Sequence, residues 1–254
     1  MTTVGIVNPG EMGAAVAGVI HERSEVLWAS AGRSAATAER AEAAGLEDAG
    51  DIGELCGRCE ILLSICPPHA AVDVAQAASD FTGTYVDANA IAPDTVRTIA
   101  KLQPRLVDGG IVGPPPTRPG TTRLYLAGRE AEQIAALFAG TNLDARVVSA
   151  EPGAASALKM AYAGWTKGSA ALLLTVLELA RAEGVEDALF AEWRLSIPEL
   201  EEQLAGAERS ARRKAWRWTG EMEEIAQSMA AQNLPAGFHE AAAEVFRHTA
   251  EPGS

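Results

Sequence analysis

The 254-residue sequence predicts an α/β fold: a mostly parallel, doubly wound sheet followed by a smaller all-α domain. Three observations predict it. From Val4 to about Val148, short β-branched and apolar runs alternate with Ala-rich stretches of helical period, the pattern of a parallel sheet covered on both faces. Pro and Gly punctuate the joins, at Pro9–Gly10, Pro67–Pro68, Pro93 and Pro114–Pro116. After Pro152–Gly153 the strand signal stops and only helical patterning remains. The boundary is placed near residue 150, giving domains 1–150 and 151–254.

Strands are expected at VGIV (4–7), EVLWA (25–29), EILLSI (60–65), TYVDA (84–88), RLVDG (105–109), RLYLA (123–127) and ARVVS (145–149). Each is too short for a helix and is bounded by turn formers. Helices are expected over 12–21, 34–43, 69–78, 93–101 and 130–139. The segment 157–184, ALKMAYAGWTKGSAALLLTVLELARAEG, reads as one long helix, apolar on almost every side through its middle. Such a helix is either the central post of a helical domain or is covered by a partner chain. Further helices are expected near 187–194, 198–218, 219–232 and 236–249. A domain of this size with that helix to hide predicts a homodimer that shares these helices.

Composition narrows the function classes. Lys+Arg number 21 against 34 Asp+Glu, a net charge of -13, and a surface that acidic repels nucleic acid and anionic lipid. The one dense basic run, Arg209, Arg212, Arg213, Lys214 and Arg217, has no recognition-motif form and reads as a solvated helix face. The N-terminus runs directly into a strand without a basic leader, and the most apolar stretch is interrupted by Glu178 and Arg181. No membrane partner is expected, and the cytoplasm is the expected compartment. Three cysteines make no disulfide framework. Cys56, Cys59, Cys66 and His69 have spacing that zinc could use, but the residues between them are strand core, so buried thiols and a loop histidine are the better reading and no metal is expected.

The first strand runs into Asn8-Pro9-Gly10-Glu11-Met12-Gly13 and then a helix, the setting in which a glycine-rich loop and a helix N-terminus bind a pyrophosphate. Gly10 would let backbone approach the phosphates, and Gly13 would let the helix pack close to the sheet. Asn8 stands where the fingerprint has its first glycine, as the residue that, after glycine, best tolerates unusual φ/ψ. At the end of the second strand, where an NAD site carries Asp or Glu for the ribose diol, the chain reads Ala29-Ser30-Ala31-Gly32-Arg33-Ser34. Arg33 offers a fork of donors, Ser30 and Ser34 offer hydroxyls, and Arg40 follows, so NADP(H) is the expected cofactor of this Rossmann-type domain.

With these features the chain resembles the β-hydroxyacid dehydrogenase and 6-phosphogluconate dehydrogenase superfamily. VGIVNPGEMG resembles that family's first strand and loop, SICPPHAAV its fourth strand and the loop beside the nicotinamide ribose, and VDANAIAP its segment with a polar residue near the nicotinamide. GAASALKMAYAGWTKG resembles the segment that carries the catalytic lysine, and the chain's ending resembles a subgroup with a short C-terminal domain. The resemblance implies a hydride-transferring enzyme, with Ile65, Cys66, Pro67 and Asn89 beside the nicotinamide and Lys159 as the catalytic lysine. The chain also departs from the family. Its substrate loop reads Asp108-Gly109-Gly110-Ile111-Val112-Gly113-Pro114, with Val112 for the family's serine, and Ala163 replaces the Asn one turn after the lysine. Val112 and Gly113 therefore belong to an apolar pocket wall, and 6-phosphogluconate is a poor candidate substrate.

Lys159, Tyr162, Ala163 and Thr166 recur at i, i+3, i+4 and i+7 and share one helix face. Reduction of a carbonyl or imine needs a proton, and burial beside a cofactor lowers an ammonium's pKa toward the range of a general acid. Lys159 is assigned that role, with Tyr162 and Thr166 to orient substrate or relay a proton and Asn89 to bind the carboxamide or a substrate oxygen. Met12 is expected against the cofactor or the strand. Trp216, Phe238 and His239, with Trp218 and Met222, are candidates either for a pocket lid lent by a second subunit or for the small domain's core. The expected function is NADP(H)-dependent hydride transfer to and from a small carbonyl or alcohol. Imine reduction and a turnover-deficient cofactor-binding protein are the alternatives.

Overall fold

The computed structural model describes residues 1–250. Eight strands form one sheet in the order β3-β2-β1-β4-β5-β6-β7-β8. The central strands are β1 (Thr3–Ile6), β4 (Ile61–Ser64), β5 (Thr84–Asp87) and β6 (Leu106–Val112), all parallel, with β2 (Glu25–Trp28) on the other side of β1. A short β3 (Glu47–Asp48) makes one edge. The direction reverses once, where β7 (Thr122–Ala127) runs antiparallel to β6, and β8 (Leu143–Ser149) then pairs parallel to β7.

Period-two alternation sends successive side chains to opposite faces. Ile61 and Leu63 join Val4, Val16, Ile20 and Ile134 in one core, while Leu62 joins Leu55, Ala71, Ala75 and Ile99 in the other. The first layer holds α1 (Glu11–Gly18), α2 (Ala35–Ala43) and α6 (Ala131–Leu137); the second holds α3 (Ile52–Arg58), α4 (Ala71–Ala77) and α5 (Pro93–Leu102). Because the chain leaves β1 toward β2 and returns on the other side to β4, the strand order reverses between β1 and β4. In an open α/β sheet that crevice is where ligands bind.

Helix α7 (Ala154–Ala182) is the long helix expected from the sequence, followed by α8 (Glu186–Ser196), α9 (Leu200–Ala231) and α10 (Gly237–Ala250). The chain falls into two compact units, Met1–Lys159 and Met160–Ser254, so the division lies inside α7. In the second unit Leu177, Trp193 and Leu204 form one cluster, and Trp218 meets Phe246 edge-on with centroids 5.0 Å apart.

Two differences from the expected elements have physical causes. The helices expected at 198–218 and 219–232 are one, α9, which continues through Gly220. A mid-helix glycine costs about 1 kcal/mol relative to alanine, and burial of Trp218, Glu221, Met222 and Ile225 around it offsets that cost. Strand β3 and helix α3 were not expected, since α3 fully buries only Leu55 and so shows no apolar period. Its capping box, Asp51 accepting from the Glu54 N–H while Glu54 accepts from the Asp51 N–H, was the available signal.

Candidate active site

The loop Asn8–Gly10 leaves the end of β1 at the crevice. Gly10 caps α1 in extended conformation, with no side chain closing the helix's first N–H groups. A Cβ on Gly10 would meet nothing within 4 Å, so the face of the loop is open. Gly13 is the opposite case: a Cβ there would lie 2.5 Å from the Asn8 carbonyl oxygen, and only glycine lets α1 sit this close to the loop. Open donors at a helix start and a bare backbone fit a diphosphate. Asn8 does not need the unusual backbone expected for it, because Asn233 is the one non-glycine residue with positive φ among the described residues. Its carbonyl accepts the Gly10 N–H at 2.8 Å. Glu11 is exposed, and Met12 packs with Ile65 against the core on the α1 side of the sheet.

At the end of β2, Arg33 donates to the Val7 carbonyl at 3.3 Å. Arg40 donates to the Thr37 hydroxyl at 3.0 Å and to the Pro9 carbonyl at 3.5 Å, which ties α2 to the glycine loop. Ser34 stands at the N-cap position of α2 without a side-chain capping bond, and its hydroxyl lies 3.1 Å from that of Thr37. A cavity of about 320 Å³ beside this corner has Val7, Ile52 and Val74 as apolar lining, with Arg33, Asp51 and Asp73 also bordering it. Ser30 is engaged by Asp48, whose carboxyl is held below its usual range first by the Gly50 N–H and then by the Ser30 hydroxyl. The carboxylate missing from the end of β2 thus has a counterpart one strand over, which only the pairing of Trp28 with Asp48 brings near.

Beyond β4 and β5 lies a buried polar cluster. Asn89 is 2% exposed; its Oδ1 accepts the Cys66 N–H at 2.5 Å, and its Nδ2 donates to Ser64 Oγ at 3.1 Å and Asp87 Oδ2 at 2.8 Å. Asp87 Oδ1 in turn accepts the Asn89 N–H at 3.1 Å. Burial pushes the Asp87 carboxyl up to about 7 against the lowering effect of these bonds, and Asp108 adds to the rise. Asn89 therefore holds the Cys66 loop in place; its two amide hydrogens are committed within the protein. Burial, then the charge of Asp87, pushes the Cys66 thiol up to about 12, so it is an inert wall residue.

Strand β6 carries the seat of α7. Asp108 Oδ2 accepts the N–H groups of Gly153, Ala155 and Ser156 at 2.8, 3.0 and 3.0 Å, and Oδ1 accepts the Ser156 hydroxyl at 2.6 Å. Burial raises the carboxyl's pKa, and these four donors work against the rise. Lys159 follows one turn later and is half-buried. Val112, further along β6, is 3% exposed and apolar. The turn after it begins at Gly113, with φ of +126°, and is closed by the Thr122 hydroxyl donating to the Pro114 carbonyl at 2.5 Å.

Comparison with known proteins follows the same lines. The chain is 28% identical to a conserved protein of unknown function whose structure shows similarity to 3-hydroxyacid dehydrogenases, with a TM-score of 0.75 and coverage of 97% of this chain and 96% of that one. The chain has the 3-hydroxyacid dehydrogenase fold. A 3-hydroxyisobutyrate dehydrogenase of Mycobacterium tuberculosis shares this fold at 16% identity and a TM-score of 0.73, over 98% and 94% of the two chains. A reductive aminase of Aspergillus terreus, solved with NADPH and ethyl-5-oxohexanoate, shares it at 19% identity and a TM-score of 0.59, over 98% and 93%. An uncharacterized 28.5 kDa protein of Methanothermus fervidus is 28% identical over 73% of this chain and 74% of its own length. Residues 180–249 match the model of a domain of unknown function, DUF1932.

Within this 3-hydroxyacid dehydrogenase fold, the predicted residues separate into three groups. Asn8, Pro9, Gly10, Gly13 and Ile65 meet at the crevice, where Gly13 faces Ile65, and Arg33 and Arg40 bind the backbone of the same loop. Ser64, Cys66 and Asn89 form the second group, with Pro67 starting the next turn. The third lies on the second unit. Tyr162 is 48% exposed on α7, and the Thr166 hydroxyl is donated back to the Tyr162 carbonyl at 3.1 Å. His239 Nε2 lies 3.3 Å from the Gly164 carbonyl and packs where Gly164 and Gly168 lack side chains. Trp216 and Phe238 are exposed, whereas Trp218 and Met222 are core. Sequence reasoning passed over Ser64, Asp87 and Ser156 and gave Asp108 no role; an acidic residue inside each of two apolar strand-like runs, TYVDA and RLVDG, was the visible signal. No group of three or more His, Cys, Asp or Glu that could hold a metal ion exists among the described residues, nor does any helix long and apolar enough to cross a membrane.

Proposed function

We propose that this protein is an NADP(H)-dependent oxidoreductase that interconverts a small carbonyl compound and its alcohol. The observation that carries the reading is the open Gly10 loop and uncapped α1 start at the β1/β4 crevice, in the same compact unit as Lys159. The nicotinamide cofactor, when bound, supplies or accepts the hydride. The backbone N–H groups from Gly10 onward would hold the diphosphate, and Arg33 with the Ser34 hydroxyl would hold a 2′-phosphate. The loop fixed by Asn89 would form the wall beside the nicotinamide. Lys159 Nζ would give its proton to the substrate oxygen in the reduction direction and take it back in the oxidation direction.

Val112 and Ala163 are buried and apolar where the resemblance leads one to expect groups that hold a hydroxyacid, which favours a less polar substrate. The same observation supports imine reduction as a second reading. For assembly we propose a homodimer through α7: Tyr162, Trp165, Leu172 and Leu179 are all exposed, and their three-, seven- and seven-residue steps make a seam that a second copy would cover. Leu172→Asp is expected to convert the dimer to monomer in analytical ultracentrifugation.

The functional reading is tested by titrating the protein with NADPH and NADH, following Trp emission, and then screening carbonyl, imine and alcohol panels in both directions. Preferential NADPH binding with turnover on a carbonyl or alcohol is expected. Tight binding without turnover on any panel would support the turnover-deficient alternative.

A further inference from the structure

We propose that Asp108 and Gly110 of β6 are positioning residues for Lys159, setting where its side chain leaves the helix above the sheet. The inference deepens the reading of Lys159 as proton donor and rests on it for its catalytic meaning, although the seat itself is a matter of geometry.

A helix begins with four N–H groups that lack partners inside it, normally closed by a neighbouring Ser, Thr, Asp or Asn. In α7 that task falls to a strand residue 45 to 48 positions earlier: Asp108 takes three backbone N–H groups and the Ser156 hydroxyl. The carboxylate is fully buried, so water does not compete for it. Its charge also complements the positive end of the helix dipole. The cap thereby ties the first turn of α7 to the sheet that carries the cofactor loop, which a local cap would not do.

Gly110 sets the distance. On a strand, residues two apart share a face, so Asp108 and Gly110 both look toward α7. A Cβ on Gly110 would lie 2.8 Å from the Ala155 carbonyl oxygen and 3.0 Å from the Lys159 Cβ. Ala155 and Lys159 are one helical turn apart on the same helix face, so that face rests on bare strand backbone. A methyl at position 110 must push the helix away where Lys159 projects. No nearby side chain can yield in its place, because the closest obstacle is main chain.

The test uses the full-length protein and two independent readouts. The first is the pH dependence of amine labelling at Lys159, resolved by peptide mass spectrometry, with exposed Lys101 as internal reference. The second is NADPH affinity and, on any active substrate, kcat. Gly110→Ala is expected to change Lys159 labelling by about threefold or more and to lower kcat by about tenfold, while Lys101 labelling and NADPH affinity stay unchanged. Ser156→Ala removes one of four donors without adding bulk, and a smaller change in the same readouts is expected; it carries the test if Gly110→Ala does not fold. Wild-type labelling at Lys159 in the folded variants would overturn the inference. Full turnover in Lys159→Ala would instead overturn the proton-donor reading, while the labelling result still decides whether β6 seats the lysine.

Discussion

Asp87→Asn offers a quantitative test of the buried cluster behind the Cys66 loop. Asp87 is fully buried, and its carboxyl is raised from 3.8 to about 7, burial being the largest cause. The sign follows from proton linkage: between these values the folded state keeps a proton that the unfolded state has lost, so stability falls as pH rises. From 3.8 and about 7, the carboxylate's cost to the fold grows by about 3 kcal/mol between pH 5 and pH 8. The amide that replaces it does not titrate. It gives up the acceptor for Asn89 Nδ2, a pH-independent cost of about 1 kcal/mol. Urea unfolding of both proteins at pH 5, 6, 7 and 8 measures the difference. The variant should gain on the wild type by about 3 kcal/mol from pH 5 to 8, with most of the gain below pH 7. A difference that stays constant over the whole range would refute the assignment of the raised carboxyl to Asp87.

Three further outcomes follow from the site. Arg33→Ala should reduce the preference for NADPH over NADH by about tenfold or more, equivalent to about 1.4 kcal/mol, in paired fluorescence titrations. Gly13→Ala, whose methyl would press on the Asn8 carbonyl, should weaken NADPH binding by about tenfold or more, and calorimetry with NADPH checks it. The thiols of Cys56, Cys59 and Cys66 are pushed up by burial to about 11, 12 and 12, so all three should resist aromatic disulfide reagents at pH 8 until urea unfolds the chain.

The fold was legible wherever one strand or helix decides its own character. VGIV and EILLSI read as strands because a run buried on both faces is apolar at every position, and the long α7 reads as a helix by length alone. Helix α3 escaped notice because its stability lies in a polar capping box, and α9 was divided because Gly220 carries a break signal that packing overrides. In the site, the glycine spacing identified the loop, since sequence neighbours build it. The role of Asn89 was not readable, because Ser64, Cys66 and Asp87 on neighbouring strands determine it. Asp48 beside Ser30 and Asp108 beneath α7 were hidden for the same reason: strand pairing and long-range capping bring together residues that no local pattern connects.

Proton transfer by Lys159 is proposed here for a protein that binds NADPH at the Gly10 loop. The most direct measurement compares NADPH affinity and kcat in wild type and Lys159→Met on the first carbonyl, alcohol or imine that the wild type converts. Unchanged NADPH affinity and a kcat reduced by about a hundredfold or more are expected, in the range of a lost general acid. Full turnover in Lys159→Met, with the cofactor bound as before, would contradict it.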